Sequence, residues 1–175
     1  YAASKNKYVS FLTNGLLIDD EWAAKIARSS RSICFSVNAA TKTTHELVNR
    51  GSSWEKVLQN IHKVRKAKAI MASDLQIAGH MTIVPQNIQE IPLFIKSYHQ
   101  LGFEYINFGY DLRMPAYLRH HPHLKEQTSL KIGRALVSLR NRSSVNDHAL
   151  IKLGLIDYQD RAKKKAAPCK NRSTG

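Results

Sequence analysis

Apolar residues along this chain switch between two periods. Tyr8-Val9-Ser10-Phe11-Leu12 is a short β-rich run closed by the turn signal Thr13-Asn14-Gly15. Asp19-Asp20-Glu21 then leads a helical stretch to Arg28, with Trp22 and Ile26 four apart. Residues 32–37 form a second strand. Thr43-Thr44-His45-Glu46 and Ser52-Ser53-Trp54-Glu55 are two candidate capping boxes. The first opens a short helical piece stopped by Gly51. The second opens a long helix with Trp54, Val57, Leu58, Ile61 and Val64 on one stripe. Leu75 to Val84 reads as a third strand, ended by Pro85. Asn87-Ile88-Gln89-Glu90 resembles a cap for a helix that buries Ile91, Phe94, Ile95 and Tyr98 and ends at Gly102. Tyr105 to Gly109 is a fourth strand.

Strands alternating with helices predict an α/β fold with parallel strands and right-handed crossovers. Ligands of such sheets sit at the C-terminal strand ends. Those ends here are Thr13-Asn14-Gly15, Ser36-Val37-Asn38, Thr82-Ile83-Val84 and Asn107-Phe108. Beyond Met114 the pattern changes. Leu124 to Arg142 reads as a helix with Leu130, Ile132, Ala135, Leu136 and Leu139 apolar. Ser143 to Asp147 is a break, and His148 to Arg161 a shorter helix. The basic segment from Ala162 lacks the apolar content of a packed element.

The 175 residues are enough for one domain with its own core, and no apolar run approaches the roughly 20 residues of a membrane span. No signal peptide is expected, and Cys34 and Cys169 are too few for a disulfide scaffold, which suits a reducing, cytoplasmic setting. The net charge of +14 attracts nucleic acid in principle. Much of it is local, in Arg161 to Lys165, in Lys170 and Arg172, and at the end of one helix in Lys63, Arg65, Lys66 and Lys68. A basic tail and solvated helix ends account for it better than a nucleic-acid site, which would need interleaved aromatics.

Several chemistries lack their devices. There is no glycine-rich phosphate loop and no Cys-x-x-Cys. His120-His121-Pro122-His123 is the one histidine cluster, and the proline forbids a helix across it; a solvated loop is expected rather than a metal site. No glycines flank Ser36 as a nucleophile elbow requires. A hydroxyl and an amide at a strand end, Ser36 and Asn38, suit hydrogen bonds to a ligand, or else to the loop backbone alone.

In combination, "SFLTNGLLIDDEWAAKI", "SICFSVNAATKTTHELVNRGSSWEKVLQNIHKV" and "MTIVPQNIQEIPLFIKSYHQLGFEYINF" resemble the radical S-adenosylmethionine (SAM) enzymes, over residues 8 to about 110. The resemblance implies strands three to six of a partial (β/α)6 TIM-like barrel in residues 1–112. A helical C-terminal extension would follow in 113–161 and a basic disordered tail in 162–175. It also implies that Ser36 hydrogen-bonds SAM, that Asn38 lies on its ribose side, and that Arg50 faces its carboxylate. Thr82, Val84 and Asn107 would border adenine and substrate, and Thr13 and Asn14 would line the substrate side.

The family's Cys-x-x-x-Cys-x-x-Cys, which holds the [4Fe–4S] cluster that cleaves SAM to a 5′-deoxyadenosyl radical, is absent from this sequence. Two accounts fit. The chain is the C-terminal part of a longer enzyme, in keeping with its start at Tyr1, or it is a degenerate barrel without radical chemistry. The intact strand-end residues favour the first. The cluster is then expected only in the full-length protein, with the N-terminal half of the barrel as partner, and this chain alone is expected to be inactive. The substrate, and a role for Cys169, do not follow from the sequence.

Overall fold

A computed structural model describes residues 9–139 and 141–157. The basic tail lies outside the described residues. Five strands, β1 (Val9–Thr13), β2 (Ser30–Ser36), β3 (Gln76–Ile83), β4 (Tyr105–Tyr110) and β5 (Val145–Asn146), form one sheet in the order β1-β2-β3-β4-β5. All four pairings are parallel. The helices are α1 (Asp20–Ser29), α2 (Lys42–Val48), α3 (Trp54–Ile70), α4 (Ile91–Ser97), α5 (Met114–His120), α6 (Pro122–Val137) and α7 (His148–Lys152). Right-handed crossovers between strands that are neighbours in both sequence and space put every connecting helix on the same side of the sheet. The α/β expectation therefore holds, with one strand more than the sequence pattern predicts.

Period two sorts the strand residues by face. Ile33, Phe35, Ile77, Met81, Ile83, Ile106, Phe108 and Val145 belong to one buried core together with Ile26, Val57, Ile61, Phe94, Ile95, Ile132 and Leu136 of the helices. Gly79 belongs to this face because a Cβ there would lie 2.6 Å from the Phe103 ring. The opposite face carries Leu12, Ser32, Cys34, Ser36, Ala78, His80, Thr82, Tyr105, Asn107 and Gly109, by the same registers. It is not helix-covered, and Leu12 is 60 % exposed.

One helix start follows its local signal: the Asp19 side chain accepts from Trp22 N at 2.8 Å, ahead of the acidic Asp20 and Glu21. The cap of α3 is Ser53, one residue after the Ser52 that opens the predicted box, and it accepts from Lys56 N. Elsewhere the structure corrects the sequence reading. The cap of α2 is Thr41 rather than Thr43, because Thr41 is the extended residue whose side chain accepts from Thr44 N. Asn87 caps no helix with its side chain; a 3-10 turn over Ile88–Glu90 precedes α4, which ends at Ser97 rather than near Gly102. Although apolar, Trp22 and Leu130 are 56 % and 59 % exposed. The stripe in α1 instead runs through Ala23, Ile26 and Ala27.

The region after residue 112 differs most. Met114–His120 is a helix, and His120-His121-Pro122-His123 is the junction of two helices rather than a solvated loop. Pro122 stands in the first turn of α6, where its missing N–H costs nothing. His121 stacks on Tyr117 at 4.1 Å, and its Nδ1 donates to the Tyr117 carbonyl at 2.8 Å. Helix α6 ends at Val137, short of Arg142. The expected break holds the strand β5, since Val145 pairs with Ile106 and Asn146 with Asn107. Helix α7 spans five residues, and positions 158–161 of the expected longer helix lie outside the described residues. Met114, Leu118, Ile132, Val145 and Leu150 all join the one core, and α6 packs on α4. Among the described residues no helix is long and apolar enough to cross a membrane.

Candidate functional site

The C-terminal end of β2 sets the geometry of the site. After Ser36 the backbone N–H groups of Val37 and Asn38 both donate to the His80 carbonyl, at 3.1 Å each. The chain turns away there with Asn38 at φ 57°, the left-handed region that asparagine tolerates better than most residues. The Asn38 side chain is engaged at both ends. Its Nδ2 donates to Asn49 Oδ1 and its Oδ1 accepts from Thr82 N, each at 2.8 Å. Its carbonyl accepts from Asn87 Nδ2, which also donates to the Thr82 carbonyl.

Around this turn lies a polar brace. His45, 1 % exposed, donates from Nδ1 to the Val37 carbonyl at 2.7 Å, and its Nε2 pairs with Ser52 Oγ at 2.8 Å. Burial holds its imidazole below its ordinary value, with the Val37 hydrogen bond opposing. Asn49 Nδ2 also donates to Val37 O. Glu90 accepts from the backbone N–H groups of Ala40 and Thr41 and from the Thr41 hydroxyl. Val84 N donates to Asn87 Oδ1 at 2.8 Å. Loops from β2 and β3 are thus locked to one another, and a buried polar brace of this kind fixes one conformation because each lost partner costs desolvation.

On the open face, below the turn, a second polar group spans three strands. Register aligns Ser36 with His80 and His80 with Asn107. His80 Nδ1 contacts Asn107 Oδ1, its Nε2 lies 3.1 Å from Thr82 Oγ1, and Asn107 Nδ2 approaches Cys34 Sγ at 3.5 Å. All five side chains, Cys34, Ser36, His80, Thr82 and Asn107, are half-buried. Parity places Cys34 on the open face, although an apolar run surrounds it in the sequence. Burial pushes its pKa up, so it is a neutral thiol. Sequence reasoning also passed over His80. The signal was present, since His80 lies two residues before Thr82 and so shares its face.

The sequence-picked residues fall into four places. Ser36, Thr82 and Asn107 meet on the open face, and Asn38 and Val84 belong to the brace above it. Thr13 and Asn14 turn inward on their own loop, with Thr13 Oγ1 accepting from Gly15 N and Asn14 Oδ1 from Leu16 N. Arg50 is exposed and follows directly on Asn49, the partner of Asn38. A cleft of about 800 Å³ lies at the opposite, N-terminal strand ends, lined by Arg28, Arg31 and Ser73 among others.

The open face can offer hydroxyl, amide and imidazole groups to a polar ligand. It does not fit an iron–sulfur cluster, which needs several thiolates. Cys34 is the one cysteine among the described residues, and no group of three or more His, Cys, Asp or Glu there could hold a metal ion. The sequence model of the radical SAM superfamily matches residues 1–98, which covers β1 to α4 and with them the brace and most of the open face. No curated protein matches the chain.

Proposed function

We propose, for a chain that belongs to the radical SAM superfamily, that the open face of its sheet binds SAM and that the chain is the C-terminal portion of a longer radical SAM enzyme. One observation carries the reading: Ser36, Thr82 and Asn107 converge in register on a face that the helices leave uncovered. SAM carries a carboxylate, an amino group and a sulfonium, and this face presents hydroxyl and amide groups for its polar ends, with no carboxylate among its described strand residues. Ser36 and Asn107 hydrogen-bond the ligand, and Thr82 borders it. Asn38 and Val84 act by holding the strand ends, since their polar groups are taken up by Asn49, Thr82 and Asn87. Arg50, exposed beside the brace, pairs its guanidinium with the SAM carboxylate.

The residues present do not fit the [4Fe–4S] cluster, so its ligands belong to a partner segment, the N-terminal part of the barrel. The edge of the sheet supports this. Strand β1 pairs only with β2 among the described residues, and Val9 and Leu12 are exposed there. Further parallel strands would pair with that edge and cover those side chains.

Calorimetric titration of SAM into the full-length protein tests the reading. Arg50→Lys loses the two-pronged, charge-assisted pairing and should cost about 1.5–3 kcal/mol, roughly ten- to hundredfold in affinity. A neutral hydrogen bond is lost in Ser36→Ala, about 0.5–1.5 kcal/mol. Absence of SAM binding by the wild type defeats the proposal, and wild-type affinity in Arg50→Lys removes the carboxylate role.

A further inference from the structure

His80 is the one imidazole on the open face, and nothing in the preceding reading uses it. Its ring is fixed on two sides. Nδ1 contacts Asn107 Oδ1 and Nε2 lies 3.1 Å from Thr82 Oγ1. Room for the ring comes from Gly109 on the neighbouring strand. A Cβ at Gly109 would stand 3.2 Å from His80 Cε1 and 3.3 Å from Nε2, tighter than ordinary contact.

This arrangement determines where the protons lie. An amide oxygen only accepts, so Nδ1 carries the ring proton toward Asn107. A neutral imidazole has one N–H, so Nε2 is an acceptor and the Thr82 hydroxyl donates to it. The lone pairs of Thr82 Oγ1 are then left to face the ligand. Thr82 cannot drift, because its backbone N–H donates to Asn38 Oδ1 at 2.8 Å.

We propose that His80 is a positioning residue of the binding face: through its hydrogen bond to Thr82 it presents that hydroxyl as an acceptor for an N–H donor of the bound molecule. This rests on the reading that the open face binds SAM, whose amino groups supply such donors. Protonation of His80 reverses the polarity. Nε2–H then donates to Thr82 Oγ1 and takes up one of its two lone pairs, so the hydroxyl is no longer held as an acceptor toward the ligand and the contact weakens.

The other groups on this face do not change charge alongside it. Strand β2 presents Ser32, Cys34 and Ser36, and β3 presents Gln76, Ala78 and Thr82. Strand β4 presents Tyr105, Asn107 and Gly109, β5 presents Asn146, and β1 presents Ser10 and Leu12. Cys34 and Tyr105 are the titratable members, and burial pushes both upward, so both are neutral around pH 7.

The experiment titrates SAM into the full-length protein over a pH series, with the ring nitrogens of His80 followed by nitrogen NMR. Wild-type affinity should fall about three- to tenfold over the pH range in which His80 takes up its proton, the loss of one neutral hydrogen bond. Thr82→Val should bind at high pH as weakly as wild type at low pH. Thr82→Ser, which keeps the hydroxyl, should keep the wild-type profile. The amino group of SAM titrates alike in all three proteins, so the difference between profiles isolates His80. If SAM binds, and Ser36→Ala weakens it, but Thr82→Val follows the wild-type profile, the role of His80 is overturned while the binding reading stands. If wild type binds no SAM, the binding reading fails and this inference with it.

Discussion

The two faces of the sheet are built from alternate residues of the same strands, yet they answer to different demands. Phe35 is fully buried against the helices, and its neighbour Ser36 is half-buried on the open side. The same alternation separates Met81 from His80 and Phe108 from Asn107. Apolar burial drives folding, at roughly 25 cal/mol per Å² removed from water, so the covered face holds the domain together. The open face adds little to that. Folding alone does not call for polar side chains there, in keeping with the ligand-binding role proposed for that face.

The comparison breaks if the faces respond alike to truncation. Phe35→Ala should cost about 3–5 kcal/mol, since a large buried ring leaves a cavity that rigid neighbours fill only in part. Urea unfolding of the purified protein measures it, and a cost below that of an ordinary surface change would contradict the assignment of faces.

The brace above the strands ranks next. Asn38→Ala removes two side-chain hydrogen bonds and places alanine at φ 57°. A loss of about 1–3 kcal/mol is expected. The Thr82 backbone amide proton, which donates to Asn38 Oδ1, should exchange faster in this variant. Unchanged exchange would show that the brace does not depend on Asn38.

His45 gives the brace a pH dependence of known sign. Burial holds its folded-state value below the unfolded value of about 6.5, so the unfolded chain takes up the proton first. The His45 contribution is therefore complete above about pH 6.5 and is lost as pH falls through the lowered folded value. Melting temperatures at pH 7.5 and 5.5 should differ more in wild type than in His45→Gln. Equal differences would remove His45 as the cause.

The smallest effect sharpens the contrast. Ser36→Ala should change stability by no more than about 0.5 kcal/mol, because no buried partner is left unpaired. If SAM affinity falls while the melt is unmoved, the hydroxyl serves the ligand rather than the fold.

Local signals were enough for much of this architecture. The alternation of β and α segments, the cap at Asp19, and the buried stripe of Ile91, Phe94, Ile95 and Tyr98 each depend on residues within a few positions of one another. Helix periodicity and N-capping are short-range physics, so they can be read in one dimension. The strand ends near Ser36 and Thr82 were legible for the same reason, as polar interruptions of apolar runs, whereas Asn107 lies within β4, which continues to Tyr110.

What remained needed partners distant in the chain. Strand β5 is two residues long and has no pattern of its own; it exists because Val145 and Asn146 find β4. Asn38 looked like a ligand contact because its partners Asn49, Thr82 and Asn87 lie up to 49 residues away. The apolar run around Cys34 conceals which parity faces the helices, so its place on the open face needed the register. His80 became a candidate only when register set it between Ser36 and Asn107. Residue type and short-range period thus determined most of the segments before residue 112, but not β5, α5 or the ends of α4 and α6. Only the pairing of strands decided which face each polar side chain would occupy, because a shift of one residue in register sends every side chain to the other side.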